Sequence, residues 1–399
     1  MPEIRNSPKR VLIVAVDFKP LISGIAEYAY HMAHGFMTLD TEVQILSPYY
    51  IGVETNDDKL GMQVKRTYPA YIPGKKSGVA VKMKNCASLA GLAATMLKMR
   101  KVFQPHIIYF PSMYPFAGFF PHLKGSMVTT FHSGELSMHC RESRFAAMNK
   151  YILRRSCNNS ALILANSNYT KNLLEELGAN TSKIFVTGCG VDWERFGNVP
   201  DTNETKSKLG FSGKKIILSL ARLDEHKGFD NVLKCIPNIR KKFPNVLYII
   251  AGDGPRKENL EKLVACLNLQ DYVRMVGPIS DASVVNYMAA CDVFAMPNRK
   301  TTDGSIEGFG IVLLEANCCG KPVIAGRSGG VVDAVEHNKT GLLVNPYSQQ
   351  DIEDAIETLL GNPQLAVKLG QQGRERVQKH FKWTFIAERT CRHILNQVG

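Results

Sequence analysis

No acidic residue occurs from Lys59 to Gly134, no Cys-x-x-Cys pair occurs anywhere, and no apolar run is long enough to span a bilayer. The longest strongly apolar stretch without charge, Ile107 to Pro121, holds three prolines. It falls short of the roughly 20 residues a spanning helix needs, so no membrane crossing is expected. The six apolar residues Val11 to Val16 are too few for a signal-peptide core, so no secretion is expected. The Asn-x-Ser/Thr triplets at Asn158, Asn168, Asn180, Asn203 and Asn338 are then read as unglycosylated. Ten cysteines without a pairing motif, two of them adjacent at Cys318 and Cys319, exclude a zinc module and a disulfide scaffold and fit a reducing cytosol. With 45% hydrophobic and 21% charged residues, disorder and collagen are also excluded.

What is present is positive charge. The formal net charge is +13, and residues 1–195 carry most of it, with 23 Lys/Arg against 14 Asp/Glu. The acid-free stretch alone has eleven basic residues, among them Lys75, Lys76, Lys82, Lys84, Lys98, Arg100 and Lys101. Such a patch favours anionic partners. Val81 to Phe103 is helix-forming, basic at both ends and apolar in the middle, consistent with contact to an anionic membrane surface or with a solvated face. No nucleic-acid recognition motif accompanies it, so no nucleic-acid partner is expected.

Short Val/Ile-rich runs alternate with segments of helical period, the pattern of parallel sheets covered by helices on both faces. Strands are predicted at Val11–Val16, Val43–Leu46, His106–Phe110, Met127–Phe131, Leu162–Ala165 and Ile184–Val186. A second series follows the polar stretch Asn198 to Lys208, near Ile216–Leu220, Val246–Ala251, Val273–Val276, Val293–Met296, Pro322–Ala325 and Leu342–Val344. The length and this pattern predict an α/β chain of two doubly wound Rossmann-like domains meeting near residue 190.

The turn after the first strand reads Asp17-Phe-Lys-Pro-Leu-Ile-Ser-Gly24 rather than the Gly-x-Gly-x-x-Gly of a dinucleotide-binding dehydrogenase. A second glycine pair, Ala251-Gly-Asp-Gly254-Pro255, has Lys257 where a third glycine belongs, and is read as a tight turn into a helix starting at Pro255. The most informative segment is Glu307-Gly-Phe-Gly-Ile-Val-Leu-Leu-Glu315. Its glycines Gly308 and Gly310 admit close backbone approach, and a helix opening near Phe309 offers N–H groups suited to a pyrophosphate. Glu307 stands before that helix and Glu315 about two turns in, where it can accept from a ribose diol. Arg222 and Lys227 follow another strand of the same domain, where ligands of open parallel sheets collect. Taken singly, these acids and cations serve equally well as solvated loop charges; together they form a nucleotide-diphosphate cradle. His132 ends a strand in the N-terminal half and, alone, reads as a structural histidine. Gly24 starts the first helix and suits backbone contact with phosphate. Ser328-Gly329-Gly330 is read as a structural turn.

The chain resembles the retaining nucleotide-sugar glycosyltransferases of family 4, of GT-B architecture, over nearly its whole length. The likeness rests on Ser23-Gly24 with Tyr28, Phe131-His132-Ser-Gly, Gly188-Cys-Gly190-Val-Asp192, Arg222 with Lys227, Ala251-Gly-Asp-Gly-Pro255, Glu307-x7-Glu315 and Gly341-Leu-Leu-Val344. Ser23 and Cys189 depart from the family pattern, which often has glycine and asparagine there. The segment Val293 to Arg299 and Gly320 to Gly326 look especially like the phosphatidylinositol mannosyltransferase branch.

The resemblance implies an N-terminal acceptor domain, 1–190, a donor domain, 191–382, and a final helix, 383–399, crossing back from the Phe381-Lys-Trp383 segment. It implies hexose transfer with retention from a nucleotide diphosphate sugar, GDP-mannose favoured over a UDP-sugar, to a hydroxyl of a lipid-linked or saccharide acceptor. Arg222 and Lys227 would stabilise the departing diphosphate, and Glu307 and His132 would contact the sugar. Glu315 would bind the ribose, and Gly24 with the backbone of Gly308, Phe309, Gly310 and Ile311 would hold phosphate and sugar. The resemblance implies no cofactor and no metal, and no Asp-x-Asp occurs to hold one. The acceptor site is expected in N-terminal loops such as Pro111 to His122, and the enzyme in the cytoplasm or peripheral on the membrane's inner face. The alternatives are an epimerase or phosphorylase of the same architecture, and a non-catalytic sugar-nucleotide sensor.

Overall fold

The computed structural model describes residues 8–21, 23–70, 79–112, 114–123, 125–137 and 146–398. The chain forms two compact units: Met1–Asn166, Thr170–Thr187 and Thr384–Gly399 make the first, Ser167–Tyr169 and Gly188–Trp383 the second.

The first unit is built on strands β1 (Arg10–Val14), β2 (Glu42–Tyr50), β3 (Gln63–Ala70), β4 (Ile107–Phe110), β5 (Met127–Phe131), β6 (Leu162–Ala165) and β7 (Ile184–Val186). All neighbours pair in parallel, in the order β3-β2-β1-β4-β5-β6-β7. The apolar runs are continuous because both faces of the central strands are covered: Val11, Leu12, Ile13 and Val14 have no exposed surface. Strand β3 escapes a sequence reading. It carries Lys65, Arg66 and Pro69 rather than an apolar run, and an edge strand tolerates both charge and proline.

The second unit has strands β8 (Lys215–Leu220), β9 (Val246–Ala251), β10 (Val273–Gly277), β11 (Val293–Met296), β12 (Val323–Gly326) and β13 (Gly341–Val344). They are also parallel, in the order β10-β9-β8-β11-β12-β13. One core joins Ile217, Tyr248, Ile250, Val293 and Ile324 of the sheet to Val232, Leu233 and Ile236 of the helix Phe229–Lys242, and to Ile352, Ile356 and Leu359 of the helix Gln349–Gly361. Burying each such side chain stabilises the unit by about 1.5–3 kcal/mol.

Both sheets reverse direction once. The chain builds outward from β1 to β3 and returns to β4, and outward from β8 to β10 and returns to β11. The carboxyl ends at such a switch point form the crevice where open α/β sheets bind ligands.

The last helix, Trp383–Val398, packs on the first unit. A Cβ at Gly35 would lie 2.7 Å from Ala387 Cβ, so the two helices touch backbone to backbone there. Lys9 Nζ donates to Leu395 O at 3.1 Å, and Arg389 to Thr187 O at 2.6 Å. The helix Val79–Phe103 departs from the lipid-facing expectation. Its Leu92, Met96, Met99 and Phe103 pack into the core with Leu12, Leu46 and Phe110, so this apolar stripe faces the sheet. Lys75 and Lys76 lie outside the described residues, as do the side chains of Lys82 and Lys84. No helix among the described residues is long and apolar enough to cross a membrane. The described cysteines are free thiols, all buried except Cys266.

Candidate active site

In the second unit, β8 and β11 are the switch-point pair, and the loops after them carry the predicted charges. The β8 loop runs through Arg222 into a short 3-10 turn, Glu225–Lys227, and ends on Gly228. Gly228 has φ +80, and a Cβ there would fall 2.3 Å from Pro297 O, so only glycine lets this loop lie against the β11 loop. Arg299 N–H donates to His226 O at 2.8 Å, and the Arg299 guanidinium grips both oxygens of Asp230 at 2.8 and 3.1 Å. The two loops are thereby fastened side by side.

That fastening brings Lys227 and Glu307 together. The ammonium donates to Glu307 Oε2, and only 16% of the lysine and 15% of the glutamate side chain is exposed. Asn298, fully buried, donates from Nδ2 to the same oxygen at 3.2 Å. Its Oδ1 is sealed from solvent without a hydrogen-bond partner. An orphaned acceptor costs about 1–3 kcal/mol, so the amide is kept in place by its donor half. Burial works to raise the Glu307 carboxyl, but the charge and hydrogen bond of Lys227, with His226 and the Gly308 N–H, hold it below the usual carboxylate range. Burial, and then the Lys227 charge, lowers the His226 pKa from its ordinary value, against the pull of Glu307, Asp224 and Asp303. Cys189, on the segment leading into this unit, is buried and its thiol pushed up, chiefly by burial and further by the Glu307 charge.

Arg222 stands at the strand end as expected, beside Asp224. Its side chain is 59% exposed, with Nε 3.5 Å from Asp224 Oδ2. The Gly252-Asp-Gly254 turn packs behind this loop. A Cβ on Gly252 would meet Ala221 O at 1.9 Å, and one on Gly254 would meet Leu223 N at 2.7 Å. The following helix begins at Lys257 rather than Pro255, which sits in the preceding turn. The glutamate helix spans Ile311–Cys318, two residues later than Phe309, because Gly310 adopts φ +90 as its N-cap. Phe309 is buried, its ring centroid 6.1 Å from that of Phe381. Glu315 is half-buried on the same helix.

Several residues position this site in ways that the sequence does not reveal. Asn298, Arg299 and Asp230 act through partners far along the chain, and only the place of Pro-Asn-Arg after a strand hints at them. The glycine turn after β12 was read as structural, and it shapes the glutamate turn directly. Gly330 N–H donates to Glu307 O at 3.0 Å, and a Cβ there would lie 1.9 Å from Gly308 O.

In the first unit the switch-point pair is β1 and β4. Gly24 opens the helix Gly24–Met37 after β1, capped by Ser23, whose Oγ accepts from Ala26 N–H at 3.1 Å. Serine at this position thus takes up one of the helix's four unpaired donors. His132 follows β5, buried, with Nε2–H donating to Pro111 O at 2.9 Å, which leaves Nδ1 as an acceptor. Burial drives its pKa down to about 4, against the pull of the Pro111 carbonyl, so the ring is neutral near pH 7. Its ring meets Tyr28 edge-on at 5.4 Å. Among the described residues no group of three or more His, Cys, Asp or Glu is placed to hold a metal ion.

Two doubly wound parallel sheets, with the last helix returned to the first, define the GT-B architecture. Residues 22–195 match the description Glycosyltransferase Family 4 and residues 201–376 match Glycosyl transferases group 1. The two matches together span most of the chain and support a family 4 glycosyltransferase of GT-B architecture. It is 28% identical over 393 residues to a GDP-mannose-dependent alpha-(1-6)-phosphatidylinositol monomannoside mannosyltransferase of Mycobacterium tuberculosis, covering 95% of this chain and 96% of that one. Among solved structures it is similar to Anabaena HepE in complex with UDP and glucose, with a TM-score of 0.76 and 19% identity over 97% of this chain and all of that one. It is likewise similar to sucrose-phosphate synthase from Thermosynechococcus elongatus, with a TM-score of 0.79 and 20% identity over 97% and 98% of the two chains. These two likenesses speak for the fold.

Proposed function

We propose that the protein is a retaining, metal-independent hexosyltransferase that moves a hexose from a nucleotide diphosphate sugar, GDP-mannose in preference to a UDP-sugar, to a hydroxyl of a lipid-linked or saccharide acceptor. The observation that carries this is the Lys227–Glu307 pair at the β8/β11 switch point, a fixed cation and a fixed acid on adjoining strand ends. The donor preference and the lipid acceptor are carried over from the full-length likeness to the mycobacterial enzyme. The cytoplasmic face of a membrane is the place that such an acceptor assigns to it.

In this reading the C1–O bond to the diphosphate breaks while the acceptor oxygen bonds C1 on the same face, and the acceptor proton passes to the departing phosphate oxygen. Lys227 and Arg222 stabilise the negative charge that develops on that leaving group. An ammonium has three N–H donors, so the bond to Glu307 leaves Lys227 donors for phosphate. Glu307 binds sugar hydroxyls and Glu315 the ribose, while backbone groups of Gly308, Phe309, Gly310 and Ile311 hold phosphate and sugar. His132 is assigned to a sugar hydroxyl and Gly24 to a phosphate, each from its place at a strand end of the first sheet. A double displacement through a protein carboxylate is disfavoured, because both glutamates are occupied in binding.

Incubation with GDP-mannose and UDP-glucose, with products and anomers assigned by NMR, tests the reading. Transfer with retention, reduced about 10²–10³-fold in Lys227→Ala and Glu307→Ala, is expected. Near-normal turnover in both variants overturns it. An epimerised donor or a released sugar phosphate identifies the isomerase or phosphorylase chemistry instead, and binding without turnover a sensor.

A further inference from the structure

The turn after β1, Asp17 to Ser23, has no glycine of its own ahead of Gly24, and the groups that fix its shape come from the edge of the sheet. Arg66 lies on the edge strand β3, where a charge is tolerated in solvent, yet only 12% of its side chain is exposed. A guanidinium has five N–H donors in one fixed plane, and here all five are matched. Nε and Nη2 fork onto both oxygens of Asp57 at 3.0 and 2.6 Å. Nη1 donates to Ser47 Oγ at 3.0 Å and to Pro48 O at 3.3 Å, both on β2. The second Nη2 hydrogen goes to Lys19 O at 2.5 Å, inside the turn. The same cation stands 5.7 Å from the Tyr50 ring and 6.0 Å from that of Phe18.

Tyr50, the last residue of β2, grips the turn at two more points. Its buried hydroxyl donates to Val16 O and accepts from Phe18 N–H at 3.0 Å. Leu21 of the turn and Ala26 of the helix Gly24–Met37 pack with Tyr50 in one small apolar cluster. The Lys19 side chain pairs with Glu27 on the same helix. The turn and the helix start that bears Gly24 are thus fastened together, and Arg66 and Tyr50 fasten both to the sheet edge. We propose that Arg66 is a positioning residue for sugar transfer: by holding Lys19 O it sets the place of Gly24, acting through the turn and not on substrate. This rests on the preceding reading, in which Gly24 meets a donor phosphate. A lysine at this position keeps the charge pair with Asp57, but three donors on one nitrogen cannot span Asp57, β2 and Lys19 O together.

Hydrogen–deuterium exchange and steady-state transfer from GDP-mannose, measured on the full-length parent, Arg66→Ala, Arg66→Lys and Lys65→Ala, test it. In both Arg66 variants amide exchange across residues 16–27 should quicken at least about tenfold, and kcat should fall about tenfold or more. Exchange in the second unit and the rise in melting temperature on adding GDP-mannose should be retained, because the donor groups assigned there are untouched. Arg66→Lys should melt close to the parent, which separates position from stability. Lys65→Ala, an exposed neighbour on the same strand, should match the parent throughout. Parent-like exchange or parent-like kcat in Arg66→Lys overturns the inference, and so does a loss of activity that only follows the unfolded fraction. A parent protein that transfers from no nucleotide sugar overturns the transferase reading instead, and the exchange data still read the hold of Arg66 on the turn.

Discussion

Lys227 and Glu307, 80 positions apart in the chain, share a hydrogen-bonded ion pair from which water is largely excluded. Removing one partner strands the other, and for a buried pair that costs about 3–5 kcal/mol, somewhat less where part of each side chain remains wet. Lys227→Met should therefore destabilise the second unit and lift the Glu307 carboxyl toward or above its ordinary range, because burial then acts unopposed. Glu307→Gln should do less damage. In urea denaturation the double variant should cost less than the sum of the singles, and strict additivity would mean that the pair is not coupled.

The Arg299–Asp230 fork sits behind that pair and should govern it at a distance. It joins the β11 loop to the first turn of the helix Phe229–Lys242, at Asp230, two residues past the glycine that follows Lys227. Arg299→Ala should lower turnover about tenfold or more by letting the two loops drift apart, since small misplacements at a reacting centre are expensive. Arg299→Lys should restore little of it, because an ammonium cannot match both carboxylate oxygens at once. Steady-state kinetics on the three proteins decides this; full rescue by lysine would show that charge alone suffices.

The fork also marks where sequence reading stops. The central strands of both sheets were legible because strands buried on both faces must be apolar throughout, and the glutamate motif was legible because its glycines and acids lie close together in the chain. Strand β3 was hidden by its edge position, which relaxes the demand for apolar residues. The roles of Asn298, Arg299, Asp230 and Gly330 at the site were hidden for another reason. Each acts through a partner on a different segment of the chain, and their residue types are ordinary where they stand. The helix Val79–Phe103 misled because an apolar middle reads alike whether it faces lipid or a sheet; only the packing of Leu92, Met96 and Met99 separates the two.

His132 supplies a pH dependence of stability with a definite sign. Its folded pKa is about 4 against an ordinary 6.5. Between those values the unfolded chain takes up a proton that the folded ring refuses, so stability is full above about pH 6.5 and falls as the pH drops toward 4. The shift corresponds to about 3 kcal/mol at the acid end. His31, lowered to about 3, chiefly by burial and then by the Lys19 and His34 charges, adds a loss of the same sign. Urea denaturation from pH 7.5 to 4.5 should show the decline, and His132→Gln should flatten part of it. An unchanged slope in that variant would mean that the ring is charged or exposed in the folded protein.

Glycine 330 offers the sharpest test of how tightly the glutamate turn is built. A methyl group there would lie 1.9 Å from Gly308 O, 2.6 Å from Gly308 C and 2.8 Å from Ser167 Oγ. Two of those three atoms belong to backbone, so relief requires the Glu307-Gly308 segment itself to move and weakens the Gly330 N–H bond to Glu307 O. Gly330→Ala should therefore abolish the stabilisation by GDP-mannose and depress turnover by about 10²-fold or more, with a fall of several degrees in melting temperature. Gly361→Ala is the matched control. Its added carbon would meet Phe243 Cζ at an ordinary 3.7 Å, at the end of the helix Gln349–Gly361. That substitution should be neutral or stabilising by about 0.4–1 kcal/mol, because alanine narrows the unfolded ensemble without straining the folded one. Differential scanning fluorimetry with and without GDP-mannose reads both variants. A Gly330→Ala protein that still responds to donor like the parent would show that the glycine turn does not set the position of Glu307.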